Sequence, residues 1–372
     1  MATSVLIVKL SSMGDVIHTL PAAQAIRARL PNARLGWAVE SRHADIVRGQ
    51  PWLDEVIEWD RRGPRAFFDF VRRLRRGRWD VAIDFQGLLR SGLVSRLSGA
   101  RRRIGVTPSR EMAHWFYNDR VPLATMDRHA VERSVELAER LIGDASGVTA
   151  VPIERPYLEN APPVETLAVK RLFPLEPSDD DVRAVQTWLA ERAFDPLAER
   201  LVLLNPHCRR EANRWPAARF SDLAARLLAL PGMRVAVVGG PTARELCERI
   251  AAPLGEAVWR ADGRFSLLGS ATLFSRSTLL VTGDTGPMHL AAAVGTPVVA
   301  LFGASNPVRT GPYTSDAIAL NRRLACSPCL ARRCPLGHRP PLCMHEISVD
   351  QVFSAVLLRL SLGDSQAARK SA

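Results

Sequence analysis

Lysine is almost missing from these 372 residues: only Lys9, Lys170 and Lys370 occur. Arginine carries the basic charge, and the formal net charge is +12. Guanidinium forks match phosphate and carboxylate groups, so anionic partners are the class to consider: a phosphorylated or carboxylated substrate, an anionic membrane surface, or nucleic acid. No helix-turn-helix, RNA-binding or other nucleic-acid signature is present, which argues against the third. Long apolar runs are missing too. None reaches the roughly 18 residues of a membrane span, because Pro297 and nearby glycines break the longest. Repeats and low-complexity tracts are absent. The opening MATSVLIVKLSSMGD lacks a signal peptide's cleavage region and reads as a first strand. A cytoplasmic protein is expected, of two domains of roughly 150–200 residues each.

What is present is an alternation of short apolar runs and amphipathic stretches. Residues 4–10, SVLIVKL, read as a buried parallel strand, followed by a small-residue turn and a helix from about Val16 to Leu30. Strands at Leu35–Val39, Glu55–Trp59 and Val81–Phe85 then alternate with helices at Ala44–Arg48 and Ala66–Arg75 and one ending near Leu97. A second series starts at Leu201 and runs through a Gly239-Gly240-Pro241 turn. It ends in LLVTGDTGPMHLAAAVGTPVVALFG at 279–303, a strand, tight turn, helix and strand. The pattern predicts two doubly wound parallel sheets of α/β class. The proline-rich stretch 151–177 reads as the connection, and VDQVFSAVLLRLS at 349–361 as a closing helix before a polar, disordered tail.

Ligands of open α/β sheets bind at the carboxyl ends of the strands. Asp15 falls there, at a helix N-terminus, and is either an N-cap or a functional carboxylate. In the later unit the turn Gly283-Asp284-Thr285-Gly286 precedes a helix with Pro287 in its first turn and His289 two residues in. Unpaired amide groups and the positive dipole end there favour an anion, so the turn reads as a phosphate or diphosphate cradle or as an ordinary βα turn. The loop Asn205–Trp215, with His207, Arg209, Arg210 and Arg214, is a second anion contact. Eight arginines and one acid, Asp69, lie between Arg61 and Arg78, either as a solvated face or as an anion-binding one. Asp179-Asp180-Asp181 has DxD spacing but follows Ser178 as a helix-opening capping box. A carboxylate opposite an anion cradle, across a cleft between two such domains, suits transfer from a nucleotide-activated donor to a hydroxyl.

The segments VLIVKLSSMGDVIHTLPA, DFQGLLRSGL at 84–93, SREMAHWFY at 109–117, HAVER at 129–133, NRWP at 213–216 and GDTGPMHLAAAVGTP at 283–297 cover nearly the whole chain. Together they resemble the ADP-heptose:lipopolysaccharide heptosyltransferases, inverting glycosyltransferases of the GT-B fold, and most of all the heptosyltransferase I branch. The resemblance implies an acceptor domain at 1–165, a linker at 166–180, a nucleotide-sugar domain at 181–345, and a closing helix and tail at 346–372. Asp15 matches the base that deprotonates the Kdo hydroxyl. Asp284, Thr285, Gly286 and His289 match the donor site, while Lys9, Ser11, Ser12 and Gly14 shape the acceptor loop. Arg61, Arg62 and Arg65 fall in the region that receives Kdo-lipid A. No catalytic metal, no other cofactor and no nucleic-acid partner is implied; the expected location is the cytoplasmic face of the inner membrane, as a peripheral protein. Asn213 stands where the family usually has a diphosphate lysine, so Arg209, Arg210 or Arg214 must substitute. Thr242 and Ala243 stand where a ribose-contacting glutamate is usual, and Glu245 is the nearest acid.

Four of the six cysteines, Cys326, Cys329, Cys334 and Cys343, gather late, with His338 and His345 among them. Disulfides are disfavoured in a cytoplasmic chain, which leaves a structural zinc or thiol-stapled loop on one side and buried or redox-labile thiols on the other. Cys208 and Cys247 read as core or loop residues.

Overall fold

A computed structural model describes residues 4–122, 127–143 and 173–371. The described residues up to 143, together with 173–176, make one compact unit, and those from 177 onward make a second. The first unit holds strands β1 (Ser4–Val8), β2 (Arg34–Glu40), β3 (Glu55–Trp59), β4 (Val81–Asp84), β5 (Arg102–Thr107) and β6 (Asp119–Pro122). Their order is β3-β2-β1-β4-β5-β6. The second holds β7 (Arg200–Asn205), β8 (Met233–Val237), β9 (Val258–Arg260), β10 (Leu279–Gly283), β11 (Val298–Phe302) and β12 (Ala317–Asn321), in the order β12-β11-β10-β7-β8-β9. Both sheets are parallel throughout and share one topology, with the winding direction reversing between β1 and β4 and between β7 and β10.

The central strands are continuous apolar runs because helices cover both faces. Val5, Leu6, Ile7 and Val8 are all fully buried, as are Leu201 to Leu204. Each such side chain contributes on the order of 1.5–3 kcal/mol. Helices α1 (Met13–Arg29), α2 (Gly63–Arg76), α3 (Leu89–Leu97) and α4 (Ala130–Ile142) serve the first sheet. The second unit adds α5 (Asp179–Ala190), α6 (Ala217–Leu228), α7 (Arg244–Ala251), α8 (Leu267–Ser275), α9 (Gly286–Ala293) and α10 (Val349–Ser371), with two one-turn helices at Pro307–Thr310 and Leu342–His345.

Several boundaries differ from the sequence reading. Helix α1 begins at Met13, before the expected Val16, because Ser12 is its N-cap. The stretch expected as a helix at Ala44–Arg48 is a 3-10 segment at Ser41–Ile46. The expected tail beyond 361 is helical backbone to Ser371; SQAARK contains good helix formers and no proline. Ser178 and Asp181 do cap α5 reciprocally, with Ser178 Oγ accepting from the Asp181 amide at 3.2 Å and Asp181 accepting from the Ser178 amide at 3.1 Å. The expected linker at 166–180 lies partly outside the described residues. Its described start is tied to the first unit, where Trp52 Nε1 donates to Pro174 O at 3.1 Å and the Glu176 amide donates to Gln50 at 3.0 Å.

Gly36 on β2 shows how tightly the first unit is packed. A Cβ there would sit 2.2 Å from the ring of Trp79, which is buried and pinned by a 2.9 Å bond from its indole N–H to Leu74 O. Gly36→Ala is expected to destabilise the protein by about 1–3 kcal/mol. The midpoint of urea unfolding would fall accordingly, and an unshifted midpoint would show that the ring can move aside.

Candidate active site

At the carboxyl edge of the first sheet, β1 hands over to α1 through Lys9-Leu10-Ser11-Ser12. Lys9 is buried and donates from Nζ to Phe85 O at 2.8 Å. The Leu10 and Ser11 amides donate to Gln86 Oε1 at 2.8 and 3.3 Å, so the DFQG turn after β4 holds the loop. Gly14 is buried, and Asp15, in the first turn of α1, is half-buried. Asp15 Oδ2 accepts from the Ser12 amide at 2.9 Å and the Ser12 hydroxyl at 2.6 Å. Burial favours its neutral form, but the Lys9 ammonium, both Ser12 bonds and His18 outweigh that and hold the carboxyl at about 2. Burial pulls the Lys9 ammonium down, with Arg133 adding to it, while Asp15 and Asp84 oppose.

Two segments that carried no assigned role support this edge. Asp84 is fully buried; it accepts from the Tyr117 hydroxyl at 2.6 Å and from the Gln86 and Gly87 amides at 2.8 and 3.2 Å. Burial still raises its pKa above the usual carboxylate value. His129 caps α4, accepting from the Val131 amide at 3.2 Å, and its ring meets His18 edge-on at 5.0 Å. The HAVER segment is thereby packed behind Asp15. Of the expected acceptor arginines, Arg61 reaches back to Glu40 at 3.6 Å. Arg62 is exposed and pairs with Asp60 at 2.6 Å, and Arg65 is exposed on the first turn of α2.

In the second unit the register Thr282↔Asn205 sets one side-chain amide beside the turn after β10. Asn205 Nδ2 donates to Thr282 Oγ1 at 2.8 Å and to Thr285 Oγ1 at 3.1 Å. Thr285 is the N-cap of α9, and Asp284, Thr285 and Gly286 are half-buried. His289 is buried, with Nε2 3.9 Å from Asp284 Oδ1. A Cβ at Gly283 would sit 2.5 Å from Cys208 Sγ and 3.0 Å from Asn213 O, so only glycine lets the loop and turn approach. Asn213 itself is fully buried: it donates to Ser305 Oγ at 3.1 Å and Asp284 Oδ2 at 3.5 Å, and accepts from the Ala304 amide at 3.0 Å. Arg214 is exposed, anchored through Nε to Cys208 O at 2.8 Å. Burial lowers the pKa of His207, and Arg214 adds to this. Arg210 is half-buried at the head of the turn that carries Asn213. Glu245 is exposed on α7.

Cys326, Cys329, Cys334 and Cys343 all line one cavity of about 30 Å³, together with His338. Burial raises the Cys343 thiol, and the other three cysteines add to that. Among the described residues no three His, Cys, Asp or Glu side chains are grouped closely enough to hold a metal ion. Cys208 and Cys247 are buried thiols, each pushed up to about 12 mainly by burial.

Residues 67–339 match the family model described as glycosyltransferase family 9 (heptosyltransferase). The chain is 31% identical to lipopolysaccharide heptosyltransferase 1 of Pseudomonas aeruginosa, over 94% of this chain and 95% of the relative. It is 30% identical to lipopolysaccharide heptosyltransferase 1 of Escherichia coli K12, over 83% and 90%. The solved structure of E. coli heptosyltransferase WaaC with ADP superposes with a TM-score of 0.68 at 25% identity, covering 96% of this chain and 99% of that one. A family 9 glycosyltransferase from Veillonella parvula has the same fold, with a TM-score of 0.79 over 96% and 97%. These likenesses agree with the expected GT-B type of α/β fold, and the chain belongs to glycosyltransferase family 9, the heptosyltransferases.

Proposed function

We propose that this enzyme transfers heptose from ADP-heptose to the Kdo residue of the lipopolysaccharide inner core, as a heptosyltransferase of type I. The observation that carries the reading is Asp15: a half-buried, ionised carboxylate at a sheet's carboxyl edge, bonded twice to Ser12 and under the electrostatic influence of the buried Lys9 ammonium. An acceptor hydroxyl held at Asp15 attacks the anomeric carbon. The new C–O bond forms as the bond to the diphosphate oxygen breaks, and the hydroxyl proton passes to Asp15. ADP leaves with its electron pair. The Thr285 and Gly286 amides at the head of α9, His289 and the guanidiniums of Arg210 and Arg214 take the charge developing on the diphosphate. A carboxylate titrating near 2 is a weak base. It suffices because the hydroxyl becomes strongly acidic only as its oxygen bonds to carbon, so proton transfer comes late.

Acceptor choice separates this reading from a sister enzyme of type II. Incubation with ADP-heptose and either Kdo2-lipid A or its monoheptosylated form is expected to give turnover with the first; turnover of the second alone would reassign the acceptor. Asp15→Asn should lower kcat by roughly 10²–10⁴-fold while ADP affinity is kept. Unchanged activity would remove Asp15 from the base role. Since the folded pKa is depressed, ionisation of Asp15 is complete above the ordinary value of about 4 and is lost only as pH falls towards 2. The acid limb of kcat/KM should therefore carry no Asp15 inflection above pH ~4.

Peripheral attachment to an anionic membrane surface is supported by Trp115, Met112 and Leu89, which are 65, 51 and 46% exposed. They lie on the 110–116 turn and on α3, and a Cβ at Gly92 would touch Phe116 at 2.9 Å, so turn and helix pack together. No helix among the described residues is long and apolar enough to cross a membrane. Trp115→Ser with Met112→Ser should weaken co-sedimentation with phosphatidylglycerol vesicles; unaltered binding would place the contact elsewhere. A structural zinc at Cys326, Cys329, Cys334 and Cys343 is supported by the four thiols around one cavity, and ligation would need them to turn inward. Elemental analysis of protein purified under reducing conditions should then give one zinc per chain, with activity retained in EDTA. Metal-free protein with all four thiols titratable would leave a thiol-lined loop.

A further inference from the structure

Glu40 ends β2 with its carboxylate buried and three guanidiniums gathered on it. Its oxygens lie 2.6 Å from Arg42, 3.1 Å from Arg90 and 3.6 Å from Arg61. The acid side chain is 2% exposed, whereas those of Arg42, Arg61 and Arg90 are 57, 54 and 29% exposed. Three cations on one anion leave an excess of positive charge directed at solvent. Arg61 and Arg90 also both lie over the Trp59 ring, each 5.8 Å from its centroid. Both guanidiniums thus stand between an acid and an aromatic face, drawn there by charge without a hydrogen bond to either Glu40 oxygen. The Trp59 indole N–H and the Arg90 Nε–H, both buried, have no acceptor among the described residues. Arg90 Nη2 meets Ser11 Oγ at 3.3 Å, and the next residue, Ser12, donates to Asp15.

A buried carboxylate that merely neutralised one arginine would be a poor source of stability. One that gathers three half-exposed arginines beside the loop that carries the proposed base does something else. We infer that Glu40 is a positioning residue that holds Arg42, Arg61 and Arg90 as a binding site for an anionic group of the acceptor, a carboxylate or a phosphate, close to the hydroxyl that reacts at Asp15. This rests on the acceptor reading above and extends it to residues from the 3-10 segment after β2, the loop after β3 and the first turn of α3.

The sign of one effect separates positioning from simple charge. Glu40→Gln adds net positive charge, so charge alone would tighten an anionic acceptor. Loss of positioning instead raises the acceptor KM by about tenfold or more, leaves the ADP-heptose KM unchanged, and is partly rescued by Glu40→Asp. Three acceptors identify the anion: native Kdo-lipid A, its carboxyl methyl ester and its dephosphorylated form. The modification that weakens the wild type but adds nothing in Glu40→Gln marks the bound group. An acceptor KM that is unchanged or lower in Glu40→Gln, or a wild type indifferent to both modifications, would overturn the assignment. Should Glu40→Gln fail to fold by circular dichroism, Glu40→Asp, which keeps the charge, carries the positioning test with a smaller rise in acceptor KM, and an unchanged KM there would overturn the assignment; Arg42→Gln tests the arginine site itself with the larger rise. If the wild type turns over no Kdo acceptor, the proposed reaction fails, and calorimetry with free Kdo and with inorganic phosphate on wild type and Arg42→Gln still decides the anion site: binding lost in the variant keeps it, and no binding to either protein removes it.

Discussion

In each sheet the first strand of the unit is hydrogen-bonded in parallel on both sides, and the register Val8↔Asp84 in one and Asn205↔Thr282 in the other fixes what stands at the carboxyl edge. Everything chemical in this chain depends on that pairing. Because the strands run the same way, every strand-to-helix turn opens on the same side of its sheet, and the helix that follows points its amide end there. Lys9 and Asp15 follow β1, Glu40 ends β2, and Gln86 and Arg90 follow β4. A slip of one residue between β1 and β4 would turn the side chains of β1 to the opposite face and part Lys9 from Phe85 O.

Asp15 and Asp84 show how one edge sets two carboxylates apart. Both are held by short donors, but Asp84 ends a buried strand, and burial prevails over the Tyr117 hydroxyl and two amides, so its pKa rises. Asp15 is a few residues beyond β1, half-buried, with Lys9 close by and two Ser12 donors on one oxygen, so its pKa falls. Asp84 shapes the DFQG turn that accepts the Leu10 and Ser11 amides, and so serves Asp15 from below. Lys9 stays useful because it is desolvated: an ammonium in water would do much less for the neighbouring carboxylate.

The element pattern was largely legible because buried parallel strands read as unbroken apolar runs, as in SVLIV and VVALF. The short edge strands were not. DRVP and VWR, β6 and β9, have too few residues to show a period, and it is pairing with the preceding strand, β5 or β8, that makes them strands. Asp15, Lys9 and Thr285 could be picked out as candidates from their places beside strand ends and from the family motifs. Glu40 could not: it closes a strand and carries no motif, and its meaning lies in arginines at 42, 61 and 90 that only the fold assembles. His129 opens the HAVER motif, but its contact with His18 spans two helices and only the fold shows it.

Asn213 is the departure from family pattern that the structure explains best. It is wholly buried, and its amide uses both ends: the carbonyl takes the Ala304 amide while the NH₂ reaches Ser305 and Asp284. A lysine in this position would bring a charge into a site where Cys208 and Gly283 already stand as close as their atoms allow. With Asn205 linked to Thr282 and Thr285, the floor of the turn is built of neutral amides and hydroxyls. Such groups hold a backbone rigid without competing for an anion. The guanidiniums nearest this floor are those of Arg210, half-buried, and Arg214, exposed and tied through Nε to Cys208 O; on the proposed function they supply the charge that the missing lysine would. On the proposed function, a neutral, hydrogen-bonded floor with guanidinium charge at its rim suits a leaving group whose negative charge grows during the reaction, because groups held in place beforehand need little reorganisation as the bond breaks.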